Sequence, residues 1–302
     1  MLRYLTGMTV VFAVTLLAAG FAHPGTAAAP SMPPHTAFTI QSALLSETRH
    51  INVYIAPGCE TASSAGCPVL YMPDGGLQED FPHVATDVDA AIRAGQMRPM
   101  IVIGIENTSR RRDMTGPTSA ASDKAIAPRV GGAAAFRSFI AEELMPEVRR
   151  RYRTNGHTAI VGEPLAGLFV VETFFAQPQL FDTYIALSPS LWWNDQALVR
   201  DAVAKLQAWP DLKRTLYFAS AGDDDIGNAI AALQAALQTT HPRGLTWYYQ
   251  PRPDLRHRNI YRRLSPSVFR KLFPPESSAG KPPENDRVTA LFDGQRRGAR
   301  LD

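Results

Sequence analysis

The segment HTAIVGEPLAG, residues 157–167, decides how the chain is read. Thr158 to Val161 is a short apolar run that predicts a strand. Gly162-Glu163-Pro164 predicts a sharp turn, and Leu165 to Phe175 an apolar helix. Strand, glycine-bounded turn and helix make the frame of the G-x-S-x-G nucleophile elbow, where a serine on a strained turn holds its Oγ above a sheet. Pro164 occupies the serine position, and proline has no hydroxyl. Loss of an attacking atom of this kind removes about 10⁶-fold in turnover. Proline also fixes φ near about −65°, while an elbow nucleophile sits in strained backbone, usually with φ above zero. The sequence therefore predicts a relaxed turn that serves as the first turn of the following helix.

Outward from the elbow, the chain alternates strand and helix signals. Thr36 to Leu44 and Thr48 to Ile55 alternate apolar and polar residues, as paired strands near a sheet edge do. Pro68 to Met72 and Met100 to Ile105 are continuous apolar runs of the kind buried parallel strands show. Further strands are expected at Thr183 to Leu187, Arg214 to Ala219 and Leu245 to Gln250. Helical patterns cover Ala133 to Tyr152, Gln196 to Leu206, Ile226 to Leu237 and Pro266 to Leu272. This order predicts an α/β protein with a doubly wound, mostly parallel sheet. Thr108 to Gly132 is a long stretch of Ser, Gly, Pro and Arg without periodicity, a loop of the kind that is functional or mobile.

Composition bounds the function. The 302 residues carry a net charge of +3, which implies no nucleic-acid field. Arg3 and the apolar stretch Met8 to Ala22, followed by small residues at 25–29, read as a signal peptide over residues 1–29. An uncleaved anchor is the competing reading. The expected product is a periplasmic or secreted protein without stable membrane insertion. A folded domain is expected over residues 34–273 and a disordered polar tail over 274–302. Cys59 and Cys67 flank a polar loop and are expected to close a disulfide after export. No P-loop, G-x-G-x-x-G, H-E-x-x-H or calcium-loop motif occurs, so neither a metal nor a nucleotide cofactor is implied.

Two strand ends after the elbow carry candidate chemistry. Arg214 to Ala219 leads into Asp223-Asp224-Asp225, and Leu245 to Gln250 into Arg252 to His257. In the chain order nucleophile, acid, base, His257 is the base and one aspartate, Asp225 ahead of Asp224, its orienting partner. A solvated turn or a helix cap is the other reading of the aspartate run. Arg110 and Arg112 suit an anionic substrate, or else Arg112 pairs with Asp113 in a solvated loop. Trp192 and Trp193 wall an aromatic pocket or pack in the core.

The combination of PVLYMPDGG, DVDAAIRAGQMRPMIVIGIENTSRRRDMT, IVGEPLAGLFVVETFFAQPQLFDTYIALSPSLWWND and RHRNIYRRLSPSVFRKLF resembles the putative-esterase family of α/β-hydrolases, which includes bacterial siderophore esterases. The resemblance spans nearly the whole domain. Members read G-H-S-x-G-G or G-E-S-x-A-G at the elbow, and Pro164 alone departs from the second form. The resemblance implies an α/β-hydrolase fold with helices on both sheet faces and Ser-His-Asp chemistry in relatives. It places the base at His257, the acid within Asp223–Asp225, and the oxyanion N–H groups at Leu165 and at Gly75 or Gly76. The expected ligand is a small-molecule ester, cut slowly or not at all, or else bound without being cut.

Overall fold

The computed structural model describes residues 31–60, 66–126, 129–223 and 227–275. The expected signal peptide, nearly all of the expected tail, and Asp224 and Asp225 lie outside the described residues. From Met32 on, the described residues form one unit around an eight-stranded sheet. Its strands are β1 (Thr36–Ser42), β2 (Glu47–Ile55), β3 (Cys67–Pro73), β4 (Ile101–Ile105), β5 (Thr154–Gly162), β6 (Thr183–Leu187), β7 (Thr215–Ala221) and β8 (Thr246–Arg252). They lie in the order β1-β2-β4-β3-β5-β6-β7-β8.

The two alternating strands pair antiparallel at one edge, β2 joins β4 antiparallel, and every later pairing is parallel. Burial follows the sequence pattern: β3 and β4 are buried along their whole length, whereas β1 and β8 are partly open. The chain steps from β3 to β4 in one direction and from β5 to β8 in the other. Right-handed crossovers therefore put the helix Phe81–Arg93 on one face and the helices between β4 and β8 on the opposite one. The last helix, His257–Leu272, packs with Phe81–Arg93, while Ala202–Gln207 packs with Gly227–Thr240 and Leu165–Ala176. The reversal beside β3 is the switch point at which open α/β sheets gather their ligands.

Three helices differ from the sequence expectation. The stretch 133–151 holds a π-helical segment, Phe139–Leu144, between two α-helical ones. Pro146 follows that segment, and its missing N–H and its ring oppose a regular ladder. The expected helix at 196–206 is interrupted at Asp201, with φ −92° and ψ 3°, and Asn194, Asp195 and Gln196 at its start all have positive φ. Asn194 is held there by Asp123, whose Oδ2 accepts its backbone N–H at 2.8 Å. The last helix starts at His257 and carries Pro266 inside it. Its first turn is satisfied locally, since Arg256 N–H donates to Asn259 Oδ1 at 2.9 Å and His257 N–H to Asp223 Oδ1 at 2.6 Å. Within the long loop, two short helices form at Arg110–Asp113 and Ala121–Ile126.

Cys59 and Cys67 form a disulfide with a Cα–Cα distance of 5.7 Å. Among the described residues, no helix is long and apolar enough to cross a membrane.

Candidate functional site

The carboxyl ends of β3, β5, β6, β7 and β8 deliver Asp74, Glu163-Pro164, Ser188, Asp223 and His257. At the elbow, β5 ends at Gly162 and the helix begins at Leu165. A Cβ at Gly162 would lie 2.5 Å from the Ala166 carbonyl carbon, so only glycine lets the helix fold back this closely on its strand. Ten of the twelve helix residues are buried, which explains a sequence apolar on every side. Pro164 has φ −79° and ψ −35°, ordinary α-helical backbone within the range its ring allows. Its carbonyl accepts N–H groups from both Leu168 and Ser190 at 3.0 Å.

A cavity of about 440 Å³ opens above this turn. Pro164, Leu165, His257, Arg110, Trp192 and Trp193 line it, joined by Arg111, Ser190 and Asp223. Trp193 is a fixed wall whose indole N–H donates to the Gly116 carbonyl at 2.9 Å. Trp192 is its more open neighbour, with ring centroids 5.9 Å apart. A smaller cavity of about 260 Å³ also has Pro164 and His257 in its lining, together with Asp80, Glu163, Tyr261 and Arg262.

The ring of His257 has a neighbour on each nitrogen. Nδ1 lies 3.2 Å from Ser188 Oγ, and Nε2 lies 3.8 Å from Glu163 Oε1. Ser188 is fully buried, has φ +46° and meets the imidazole. Glu163 was read only as part of the elbow frame. Burial pushes its carboxyl up to about 8; the Asp80 and Asp74 charges add to the rise, while His257 and Arg110 oppose it. Neither residue gave a sequence signal beyond adjacency to a strand end. Asp223 meets His257 through the backbone N–H, which is the capping role.

The expected oxyanion donors separate. Leu165 lines the larger cavity, but Gly75 and Gly76 do not. Gly75 N–H donates to the Ile105 carbonyl at 3.0 Å, and Gly76 N–H to Glu79 Oε2 at 2.7 Å, so both are engaged inside the β3 turn. A Cβ at Gly75 would fall 2.1 Å from Ile105 N, which shows how tightly that turn is packed.

The arginines separate too. Arg110 lines the cavity with its guanidinium forked on Asp74, Nε to Oδ1 at 2.6 Å and Nη2 to Oδ2 at 2.8 Å. Arg112 turns away from the cavity and binds Glu47 and Asp113 at 2.6–3.1 Å. Arg111 lines the cavity and has no ion pair among the described residues; its Nη1 donates to the Ile126 carbonyl at 2.6 Å. Arg111 is thus a loop cation that borders the cavity without an ion pair among the described residues. No group of metal-ligating side chains forms among the described residues.

The chain has relatives among known proteins. The Esterase family model, described as "Putative esterase", matches residues 42–250. Ferri-bacillibactin esterase BesA of Bacillus subtilis is 31% identical over 174 residues, 51% of this chain and 58% of that protein. A siderophore enterobactin esterase of Emericella nidulans is 40% identical over 75 residues, 24% of this chain and 25% of that protein. The chain therefore spans about three fifths of the first relative's length and a quarter of the second's. An IroE-like serine hydrolase from Shewanella oneidensis superposes with a TM-score of 0.70 at 27% identity, with 80% of each chain covered. The BES protein from Bacillus cereus shares the fold at 19% identity, with a TM-score of 0.68 over 79% of this chain and 96% of that one. By sequence and by architecture, the chain belongs to the esterase family of α/β-hydrolase-fold proteins.

Proposed function

We propose that this is an exported carboxylic-ester hydrolase family member whose acyl-enzyme route is blocked at Pro164. Its larger cavity holds an aromatic, anionic ester of the siderophore kind. One observation carries the reading. Proline stands at the head of the helix Leu165–Ala176, beside the imidazole of His257 and inside the cavity, where the mechanism needs a hydroxyl. The ligand class is supported by Trp192 and Arg111 in the lining and by the siderophore esters named for BesA and the Emericella protein. Export is supported by the Arg3 and Met8–Ala22 pattern and by the Cys59–Cys67 disulfide, which persists in an oxidising compartment.

The test compares the mature protein with Pro164→Ser on p-nitrophenyl butyrate, with fluorophosphonate labelling of both. The native chain is expected to stay unlabelled and the serine variant to label at residue 164 and gain at least about 10²-fold in turnover, part of the about 10⁶-fold a nucleophile supplies. Labelling of the native protein, mapped to Ser188 or Ser190, overturns the reading. A second reading, retention of an uncut ester, is favoured by the same blocked elbow. Binding of the ester without product, weakened by Arg111→Ala, distinguishes it.

A further inference from the structure

The smaller cavity gives His257 a second face. Glu163 leaves the end of β5 on that side, with its side chain only 14% exposed, and Oε1 lies 3.8 Å from His257 Nε2. That separation is too long for a direct hydrogen bond and within reach of one water bonded to both groups. On the opposite edge of the ring, Ser188 Oγ lies 3.2 Å from Nδ1. With the proton on Nδ1, the Nε2 lone pair is on the side of Glu163, and Pro164 lines the same cavity. A carboxylate and an imidazole thus converge beside Pro164, which together with His257 borders both cavities and so connects this side to the larger one.

We propose that Glu163 and His257 activate a water molecule for direct attack on an ester carbon held above Leu165, a hydrolytic route that needs no hydroxyl at position 164. This inference rests on the ester-pocket reading above. The water oxygen forms a bond to the carbonyl carbon as the carbonyl π pair moves onto its oxygen. One water proton passes to His257 Nε2. The other stays directed at the Glu163 carboxylate, whose negative charge stabilises the imidazolium. When the ester C–O bond breaks, the imidazolium returns its proton to the departing oxygen. Acid and alcohol leave, and no acyl-enzyme forms.

Glu163 must be ionised for this, and burial holds its carboxyl at about 8. The groups facing it are Asp74, Asp80, Arg110 and His257, with Tyr261, Arg258 and Arg262 in the same cavity wall. Hydrolysis therefore rises with pH through about 8. Glu163→Gln is near-isosteric and keeps a neutral side chain where the carboxyl is mostly protonated at pH 7.

The experiment uses the mature protein and p-nitrophenyl butyrate from pH 6 to 10. Binding of the amide N-(4-nitrophenyl)butanamide is read in parallel by quenching of tryptophan fluorescence. Expected are turnover above buffer without a burst or a fluorophosphonate label, a limb rising through about 8, and a loss of about 10²-fold in kcat in Glu163→Gln with the limb abolished. Amide binding stays unchanged in that variant, and Glu163→Asp keeps the limb at reduced kcat. Full rate and limb in a folded Glu163→Gln, or no native turnover while the amide binds, overturns the pair and leaves the pocket standing. Failure of the native protein to bind the amide overturns the pocket reading, and this inference with it. A label and a burst instead overturn the blocked elbow, and the water route with it.

Discussion

Two polar regions meet at Pro164, and they are wired in opposite ways. On the long-loop side, Arg49 is fully buried and bonds Asp113 at 2.6 Å and Glu47 at 2.9 Å, while Arg112 closes the cluster onto the same two carboxylates. Arg110 forks on Asp74 in the same manner. On the histidine side, Glu163 Oε1 lies 3.8 Å from the His257 imidazole. The Tyr261 hydroxyl and both His83 nitrogens there have no hydrogen-bond partner among the described residues, although His83 Nδ1 lies 3.4 Å from Asp80 Oδ1. Closely paired charges hold a loop in place, even though Arg49 Nε has no hydrogen-bond partner among the described residues, whereas a carboxyl without a close ion pair is able to exchange protons. The contrast teaches that the arginine-rich loop is mostly scaffold and that the chemistry sits with the carboxyl group next to the proline.

Breaking the ion-paired side has the largest effect. Asp113→Ala leaves Arg49 charged, buried and without its closest counter-ion. Loss of one partner of a buried pair costs about 3–5 kcal/mol. Chemical denaturation is expected to show a stability loss of that size, with the long loop released. A loss below about 1 kcal/mol means the cluster is hydrated and the contrast fails.

The next effect is in pH, and the two regions have opposite signs. Burial raises the Glu47 carboxyl, but hydrogen bonds from Arg112, Thr108 and Arg49 outweigh it and hold the group at about 2. Its contribution is present above the ordinary 4.5 and is lost as pH falls toward 2. Glu163 is raised from 4.5 to about 8, so between those values the folded chain keeps a proton that the unfolded chain has released. Stability from Glu163 is full below 4.5 and falls as pH rises through 8. Thermal unfolding from pH 5 to 9 is expected to decline for the native protein by several degrees, at about 2–4 °C per kcal/mol for a domain of this size. In Glu163→Gln the decline is expected to be smaller. Equal declines in both proteins mean Glu163 ionises as an ordinary exposed carboxyl.

Much of this was legible in the sequence, for identifiable reasons. β3 and β4 announced themselves because strands buried on both faces must be apolar throughout, and the elbow because two glycines and an apolar helix leave few alternatives. His257 was placed by its position after the last strand, but not as the first residue of a helix. Pro266 suggested a helix start, whereas Asn259 and Asp223 satisfy the N–H groups of an earlier one. The pairing of Arg112 with Glu47 joins residues far apart in sequence, and no local pattern encodes it. Ser188 and Glu163 escaped for the same reason, since each acquires its role from a ring contributed by another strand end.

The smallest prediction probes whether the sparse side is sparse in fact. Tyr261 is 5% exposed, and its hydroxyl faces the field of Asp80, Asp74, Glu163 and Asp87, which together with burial raises its pKa far above the ordinary value. A buried hydroxyl without a partner has given up water and received nothing, a deficit of about 1–3 kcal/mol. Tyr261→Phe removes the hydroxyl and keeps the ring stacked edge-on against His83, whose centroid is 4.7 Å away. Stability is therefore expected to stay level or to rise by up to about 1 kcal/mol, measured by denaturant midpoint at constant m-value. A fall of more than about 1 kcal/mol means the hydroxyl holds a partner worth an ordinary hydrogen bond. In that case the histidine side is as fully wired as the arginine side, and Glu163 loses the sparse surroundings that let it trade a proton with His257.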